Sequence, residues 1–256
     1  MKIVACIKQV PDSAAKVVVE DGQISWGEAP LVINPWDEYS VEAALKTKET
    51  QGGTVTVISV GGENDKEAIK HALAMGADEA ILISDPALTG LDTQSIAKVL
   101  AAAIQKIGEV DLAFFGRQAI DSDSGVTSAQ TARLLGWPAM TLASTVEIDG
   151  NSIKVERSIE EGRQSVTANL PAVVSLVKDY GEPRYPSFMG IRKAARAEVP
   201  TWTISDLGIE PPTSVISWPE TMNPPSREVV CEIITGDNPE DIASNLVDKI
   251  LAEKVI

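Results

Sequence analysis

Hydrophobic positions follow two different periods along the first half of the chain. Short apolar, β-branched runs recur at Ile3–Ile7, Val55–Val60, Ala80–Ile83 and Leu112–Phe115. The segments that separate or follow them repeat apolar residues at helical spacing, over roughly Glu38–Thr50, Lys66–Met75, Thr93–Ile107 and Val126–Leu135. Strands that alternate with helices in this way predict an α/β fold with a mostly parallel sheet and helices on both faces.

The pattern after Ser144 predicts antiparallel strands. The turn residues Asp149-Gly150-Asn151 join two alternating runs, Thr145–Asp149 and Ser152–Arg157, into a hairpin. Further strands are predicted at Arg163–Leu170, at Ala172–Val177 and in a second hairpin of Val17–Glu20 with Gln23–Trp26. We expect antiparallel strands to extend the parallel core.

The last quarter of the chain is rich in proline and has a different organisation. We predict an α/β domain over residues 1–199 and an extended arm over residues 200–256. The arm ends in a predicted helix, with Asn238 as its cap and Pro239 at its first position. Its apolar stripe consists of Ile242, Leu246, Ile250 and Leu251. This arm is suited either to packing on its own core or to gripping another subunit.

The turn from Gly116 to Thr127 is the strongest candidate for a binding site. It joins an apolar strand to the predicted helix at Val126–Leu135. Free N–H groups and the helix dipole make such a helix start suitable for a phosphate. The alternative is an ordinary turn in which Asp123 or Ser124 caps the helix. The turns at Lys8–Asp12 and Gly61–Asn64 should lie at the same edge of the sheet.

Composition narrows the classes of function. With a formal net charge of −15 and no dense stripe of Lys and Arg, the chain is not expected to bind nucleic acid. No signal peptide and no apolar stretch long enough to span a bilayer are apparent, so we expect a cytoplasmic protein without membrane insertion. Cys6 and Cys231 have no metal-binding spacing, and we predict two buried thiols and no metal site.

Five motifs resemble the beta subunit of electron-transfer flavoprotein, in the order found in that family. They are Asn34-Pro35-Trp36-Asp37-Glu38, Ala72-Leu73-Ala74-Met75-Gly76-Ala77-Asp78, Gly116-Arg117-Gln118-Ala119-Ile120-Asp121, Val155-Glu156-Arg157 and Glu182-Pro183-Arg184-Tyr185. The resemblance covers nearly the whole chain. It implies a Rossmann-like fold of the adenine nucleotide alpha hydrolase type.

The resemblance also implies a function. A beta subunit forms a heterodimer with an alpha subunit that holds most of an FAD, and it covers part of that flavin. The dimer takes electrons from an acyl-CoA dehydrogenase or a similar flavoenzyme and passes them to a quinone oxidoreductase or another acceptor. The chain itself would be a carrier subunit without catalytic residues. Its arm would grip the alpha subunit.

By the same resemblance, the turn after Phe115 becomes part of an adenine-nucleotide pocket. The expected cofactor-binding residues are Cys6, Asn34, Pro35, Trp36, Asp37, Val60, Gly116, Arg117, Gln118, Ala119, Ile120, Asp121, Ser122, Asp123, Ser124, Gly125, Val126 and Thr127. In ordinary members this nucleotide is AMP with a structural role. In electron-bifurcating members it is a second FAD, which is reduced by NADH.

One residue favours AMP over the second FAD. Thr127 stands where AMP-type members carry Thr, whose hydroxyl can bond a terminal phosphate, and where bifurcating sequences carry Val. The segment Cys6–Asp12 and Arg117 resemble bifurcating members instead. Ser122, Ser124 and Gly125 match neither subgroup. We therefore expect AMP and keep the second FAD as the alternative.

The resemblance places a recognition loop for dehydrogenases at residues 182–193. Phe188 occupies the position of its apolar anchor, where better-known members have Leu. The expected docking residues are Tyr185, Phe188, Met189 and Ile191. The alternative is that Phe188 packs beneath its own loop. Some members carry a Glu directly after Val-Glu-Arg, and this Glu pairs with the alpha subunit. This chain has Ser158 at that position, so the same contact is not expected here.

Two rival functions belong to other classes. The turn Ser59–Asp65 loosely resembles the pyrophosphate-binding turn of an ATP-using enzyme of the adenine nucleotide hydrolase type. It follows the wrong strand for that role. A nucleotide-binding module without a redox partner would leave the loop at residues 182–190 and the long arm unexplained.

Overall fold

The computed structural model describes residues 1–63, 65–218, 220–223, 225 and 231–254. Asn64, the last residue of one predicted turn, and Pro219 and Pro224 of the predicted arm lie outside these ranges. Contacts divide the chain into two compact units, Met1–Thr221 and Met222–Ile256. In the described part of the chain, no helix is both long and apolar enough to cross a bilayer.

The first unit contains strands and helices in alternation. The strands are β1 Lys2–Ile7, β2 Gln9–Pro11, β3 Val18–Glu20, β4 Gln23–Ser25, β5 Leu31–Ile33, β6 Thr54–Val60, β7 Glu79–Ile83, β8 Leu112–Gly116, β9 Ala139–Asp149, β10 Ser152–Ile159, β11 Gly162–Asn169, β12 Ala172–Leu176 and β13 Thr201–Trp202. The α-helices are α1 Pro35–Gln51, α2 Glu67–Met75, α3 Thr93–Ile107, α4 Thr127–Leu135, α5 Phe188–Ala194 and α6 Ile204–Leu207. The second unit contains α7, Pro239–Ala252.

Nine strands form one sheet in the order β11-β10-β9-β12-β8-β1-β6-β7-β13. Every neighbouring pair from β9 to β13 is parallel, and only β10 and β11 run antiparallel to their neighbours. The predicted α/β fold is therefore confirmed. The run Ala172–Val177 does not belong to the antiparallel extension, because β12 lies between β9 and β8 and pairs in parallel with both. The hairpin of β3 and β4 forms a separate small sheet.

Two buried cores explain the apolar runs. In β1, Ile3 and Ala5 pack with α1 and α2 on one face, whereas Val4 and Cys6 pack with α3 and α4 on the other. A strand that is buried on both faces needs apolar residues at consecutive positions. Helices α1 and α2 share one face because the chain moves from β1 to β6 and β7 in one direction along the sheet. Helices α3 and α4 share the other face because the chain then returns to β8 in the opposite direction with the same right-handed crossover.

Several boundaries depart from the sequence prediction. Helix α1 begins three residues early, since Pro35 fits the first helical position, where its missing N–H costs nothing. The segment from Phe188 is a helix, capped by the Ser187 hydroxyl that accepts from Gly190 N. Strand β13, at the start of the predicted arm, pairs with β7 in the main sheet.

The second unit contains the predicted terminal helix. Asn238 caps α7 as predicted, since its side-chain oxygen accepts from Glu240 N and Asp241 N.

The prediction that both cysteines are buried is correct for Cys6 and wrong for Cys231, which is exposed. Residues 231–236 lie in neither a helix nor a strand.

Candidate functional site

A cleft of about 710 Å³ lies at the carboxyl ends of the central strands. The chain leaves β1 for β6 and β7 on one side and returns as β8 on the other, so the strand order reverses between β1 and β8. In open α/β sheets, ligands bind beyond the strand ends at such a switch point. The volume is in the ordinary range for ligand sites.

The floor of the cleft is apolar. Cys6 and Phe115 are register partners in β1 and β8, and they are 5% and 6% exposed. Ile96 and Leu100 of α3 and Val60 at the end of β6 continue this surface. Burial, reinforced by the Asp37 carboxylate, raises the pKa of the Cys6 thiol well above its ordinary value. The sulfur is therefore a neutral contact surface rather than a nucleophile.

Asn34 holds the turn that follows β8. Its side chain is fully buried, donates from Nδ2 to Gln118 O at 2.8 Å and accepts on Oδ1 from Ile120 N at 3.2 Å. The Asn34 amide therefore satisfies one backbone acceptor and one backbone donor of an irregular segment, whose backbone does not pair with a neighbouring strand. Gln118 in turn donates from Nε2 to Asp123 Oδ1 at 2.7 Å. The turn is ordered by side chains rather than by secondary structure.

Asp37 joins the ends of the two strands on either side of the switch point. The buried carboxylate accepts from Lys8 N at 2.7 Å and from the Gly116 N–H. Burial raises the pKa of Asp37 to about 7, although hydrogen bonds from Asn34, Lys8 and Gly116 and the charge of Lys8 act in the opposite direction. A single carboxyl therefore fixes the geometry of both loops and titrates near neutrality.

This raised pKa predicts a pH-dependent stability. An unfolded Asp ionises near pH 3.8 and the folded Asp37 near pH 7, so the folded state holds an extra proton between these values. Its stabilising contribution is complete below the unfolded pKa and is lost as the pH rises to about 7, by up to roughly 4 kcal/mol. We expect Asp37→Asn to remove this slope, measured as the change in unfolding free energy between pH 5 and pH 7.5.

The control for Asp37 is Asp92, whose pKa has the opposite shift. Hydrogen bonds, first from Ser95 N and then from Val215 N and Ile216 N, lower the pKa of Asp92 to about 2. Asp92→Asn should therefore leave the slope above pH 5 as it is in the unmodified protein. If the unfolding free energy changed equally with pH in the unmodified protein and in Asp37→Asn, the pH dependence would not come from Asp37.

The N-terminus of α4 faces the cleft with free donors. Val126 occupies the cap position without a side-chain hydrogen bond to the helix, so neither Asp123 nor Ser124 caps it and that alternative is wrong. Ser128 is 3% exposed and lines the cleft, and its hydroxyl has no hydrogen-bond partner among the described residues. A buried polar group without a partner costs about 1–3 kcal/mol, so a ligand that bonds it is favoured.

Some charged side chains near the cleft are already paired within the protein, whereas Arg117 can still contact a ligand. Lys8 Nζ pairs with Asp121 Oδ2 at 2.5 Å, and Asp85 accepts from Ala87 N and Ile204 N. The Arg117 guanidinium lies over the Trp36 ring, 5.5 Å from its centroid, and lines the cleft. An anion at the start of α4 would therefore meet a positive dipole and an arginine.

Most of the predicted binding residues come together in this cleft. Those that line it are Cys6, Asn34, Asp37, Val60, Gly116, Arg117, Gln118, Ala119, Ser122, Ser124, Gly125, Val126 and Thr127. Pro35, Trp36, Ile120, Asp121 and Asp123 do not line it. They support it instead, for example through the stacking of Trp36 with Arg117 and the pairing of Asp121 with Lys8.

One wall of the cleft was not predicted from the sequence. Ile216 and Trp218 line it from a strap, residues 213–218, within the predicted arm. Asp92 holds the strap by accepting from Val215 N at 2.6 Å and Ile216 N at 3.1 Å, and Ser95 Oγ donates to Thr213 O at 3.0 Å. No periodicity in this proline-rich segment signals such a contact. The turn after β7, including Leu88 and Leu91, was also missed.

Comparison with known proteins places the chain in a family. A family model for the electron transfer flavoprotein domain matches residues 26–207. The electron transfer flavoprotein subunit beta of Thermoanaerobacterium thermosaccharolyticum is 37% identical over 272 residues, which cover 100% of both chains. Subunit CarD of the caffeyl-CoA reductase-Etf complex of Acetobacterium woodii is 35% identical, also over 100% of both chains. Protein FixA of Azorhizobium caulinodans is 38% identical over 82% of this chain and 78% of its own.

The chain belongs to the beta subunits of the electron-transfer flavoprotein family. It is therefore an electron-transfer subunit and not an enzyme, and it implies an alpha-subunit partner. The ATP-using hydrolase and the nucleotide-binding module without a redox partner are excluded by this assignment. The switch-point cleft is thus a candidate site in a subunit of this family.

The segment predicted to dock this electron-transfer flavoprotein on its partner presents large apolar side chains to solvent. Tyr185, Phe188, Met189 and Ile191 are 93%, 74%, 71% and 52% exposed. The alternative that Phe188 packs beneath its own loop is therefore wrong. Four exposed apolar side chains within seven residues are typical of a surface that binds another protein.

The hairpin of β9 and β10 shows cross-strand pairing. Arg157 donates to Thr141 O at 2.8 Å and to Gln164 Oε1 at 2.9 Å, and Glu156 lies 3.6 Å from Arg163. Ser158 donates to Asp179 Oδ2 at 3.3 Å. The motif Val155-Glu156-Arg157 therefore stabilises the edge of the sheet.

Proposed function

We propose that this chain, in a heterodimer with the alpha subunit, binds AMP in the switch-point cleft and covers the FAD that the alpha subunit holds. It docks an acyl-CoA dehydrogenase or a similar flavoenzyme and passes electrons to a quinone oxidoreductase or another acceptor. The observation that carries the nucleotide assignment is the uncapped start of α4 with the buried, unpartnered Ser128 hydroxyl. Two free thiols fit a cytoplasmic location.

The cleft fits an adenine nucleotide in two parts. Cys6, Phe115 and Leu100 offer an apolar surface for a base, and the start of α4 with Ser128 and Arg117 offers donors for a phosphate. Helix N-termini bind phosphates through these donors and the dipole. When bound, AMP would supply no chemistry. It would order the turn from Gly116 to Thr127.

Thr127 favours AMP within this cleft. It is the first residue of α4 and lines the cleft, at the end of the helix whose first N–H groups have no helical partner. A hydroxyl at this position can donate to a terminal phosphate oxygen. A diester phosphate, as in FAD, carries fewer free oxygens for such a bond.

A second FAD in place of AMP is the other candidate, and the wall formed by the strap and by the turn after β7 favours it. Leu88, Leu91 and Trp218 add apolar surface beyond what a mononucleotide base needs, and the cleft holds about 710 Å³. In that case the second flavin would be the group that NADH reduces. The two candidates predict different cofactor contents.

We expect one FAD and one AMP for each purified heterodimer, measured by heat extraction and chromatography of the released nucleotides. Thr127→Val should lower the AMP content at least threefold after dialysis, because it replaces the hydroxyl by a methyl of similar size. Thr127→Ser keeps the hydroxyl and serves as the control. Two FAD and no AMP would overturn the AMP assignment in favour of the second flavin.

The terminal helix supports the proposed role of the arm, residues 200–256, in gripping the alpha subunit. On α7, Ile242, Leu246, Val247 and Leu251 are between 39% and 56% exposed, and no residue of this helix is buried. An amphipathic helix with an open apolar stripe is a common element of subunit interfaces. The alpha subunit is the partner that the family provides for it.

A further inference from the structure

We propose that the carboxylate of Glu42 and the guanidinium of Arg184 form a clamp that sets the orientation of the docking segment, residues 185–191, for its partner flavoenzyme. Glu42 is then a positioning residue for partner recognition, although it lies on α1 and does not belong to the exposed surface. This inference rests on the docking role proposed above.

The clamp is a dense set of hydrogen bonds. Glu42 has a side chain that is only 4% exposed, and it accepts from Arg184 Nε at 2.8 Å, from Arg184 Nη2 at 3.2 Å and from Arg184 N at 3.1 Å. Glu49, two turns further along α1, accepts from Nη1 at 2.6 Å and from Nη2 at 3.2 Å. One arginine therefore joins its own backbone and its whole guanidinium to a single helix.

The protonation states of both groups keep the clamp closed. Burial alone would raise the pKa of Glu42, but the hydrogen bonds and the charge of Arg184 lower it below its ordinary value. Glu49 and Glu42 raise the pKa of Arg184 further above its ordinary range. Both shifts favour the charged forms of the two groups.

A second fixed point lies on the other side of the exposed aromatic residues. A side chain at Gly190 would collide with the carbonyl of Ala74, whose carbon would lie 3.0 Å from the added Cβ, so α5 approaches the backbone of α2 closely. The Ser187 hydroxyl, which accepts from Gly190 N at 2.9 Å, sets the start of α5 between the two points. Tyr185 and Phe188 therefore stand on a span that is held at both ends.

A span held at both ends has a defined consequence for binding. Exposed side chains on a free loop lose conformational entropy when a partner orders them, whereas side chains on a fixed span have already lost it. The clamp should therefore act on the affinity for the partner and leave the electron-transfer step itself unchanged. A purely structural role would instead leave KM unchanged, or would change kcat and the flavin spectrum together with it.

The test compares variants of the complete heterodimer in the reduction of its flavin by the partner dehydrogenase. In Glu42→Gln we expect the KM for the heterodimer to rise about tenfold, with kcat within twofold and an unchanged flavin spectrum. Glu147→Gln removes a carboxylate from the exposed pair with Lys154 and is the matched control. Should Glu42→Gln not fold, Arg184→Lys, which keeps the charge but not the forked geometry, should give a smaller rise in KM.

The outcomes separate this inference from the docking role on which it rests. If Phe188→Ala raises KM and Glu42→Gln leaves it unchanged, the clamp is overturned and the docking role stands. If Phe188→Ala has no effect on KM, the docking role fails and the clamp fails with it. A rise in KM for Glu42→Gln without a rise for Glu147→Gln supports the clamp.

Discussion

A Gly116→Ala variant of the heterodimer is expected to lose its AMP and to unfold at a markedly lower temperature. A Cβ at this position would lie 2.6 Å from the carbonyl carbon and oxygen of Trp36 and would also collide with Asp37 Oδ1. Backbone atoms at the start of α1 cannot rotate away as a flexible side chain can. Overpacking of this kind costs about 1–3 kcal/mol, and the rigid neighbours place this substitution at or above the upper end.

The loss of AMP follows from the position of the collision. Asp37 joins the ends of β1 and β8 through Lys8 N and Gly116 N, so a shift at Gly116 separates the two loops that form the cleft. Gly62→Ala is the matched control, because its Cβ would lie 3.5 Å from the nearest atom, Asp65 Oδ2. The prediction is checked by calorimetry and by AMP content. A Gly116→Ala variant with full AMP content would contradict it.

The sequence predicted the parallel core because its strands are buried on both faces. Ile3–Ile7 and Leu112–Phe115 are uniformly apolar for that reason, and the predicted helix Thr93–Ile107 agrees with α3 at both ends. The prediction that β12 belongs to the antiparallel extension was wrong, because an apolar run does not show which strands it pairs with in the sheet. Helix α5 was missed because residues 182–190 contain three residues that usually break helices, Pro183, Pro186 and Gly190.

The cleft was predictable only where it depends on local chemistry. The turn from Gly116 to Thr127 has a helix start, glycines and small polar residues, and these features are readable in the sequence. The strap at residues 213–218 contacts the cleft through Asp92, and that contact joins residues 122 to 124 positions apart. Glu42 and Arg184 are 142 positions apart. Contacts of such separation depend on the whole fold and leave no pattern in either segment.

Helix α1 connects the two functional regions of the chain. Asp37, in its first turn, holds the strand ends around the cleft, and Glu42 and Glu49 hold Arg184 at the start of the docking segment. The cleft lies on the face of the sheet covered by α3 and α4, whereas α1 and α2 cover the other face. One helix therefore sets the geometry of the proposed nucleotide site and of the proposed docking surface on different sides of the sheet.

A Phe188→Ala variant is expected to lose most of its productive docking with the dehydrogenase and little of its stability. Phe188 is 74% exposed, so its truncation creates no cavity in the core of the subunit. Aromatic anchors at interfaces contribute about 2 kcal/mol or more to binding, which corresponds to a roughly 30-fold lower kcat/KM for reduction of the heterodimer. Stopped-flow reduction of the flavin by the dehydrogenase measures this rate.

The size of the anchor distinguishes an apolar contact from a general effect on the segment. Phe188→Leu keeps a large apolar side chain at the first position of α5 and should retain at least a third of the rate. Met189→Ala removes a neighbour that is 71% exposed and should have a smaller effect than Phe188→Ala, because aromatic residues dominate such contacts. If Phe188→Ala and the unmodified heterodimer are reduced at the same rate, this side chain is no anchor, and the exposed apolar segment must contact something other than the electron donor.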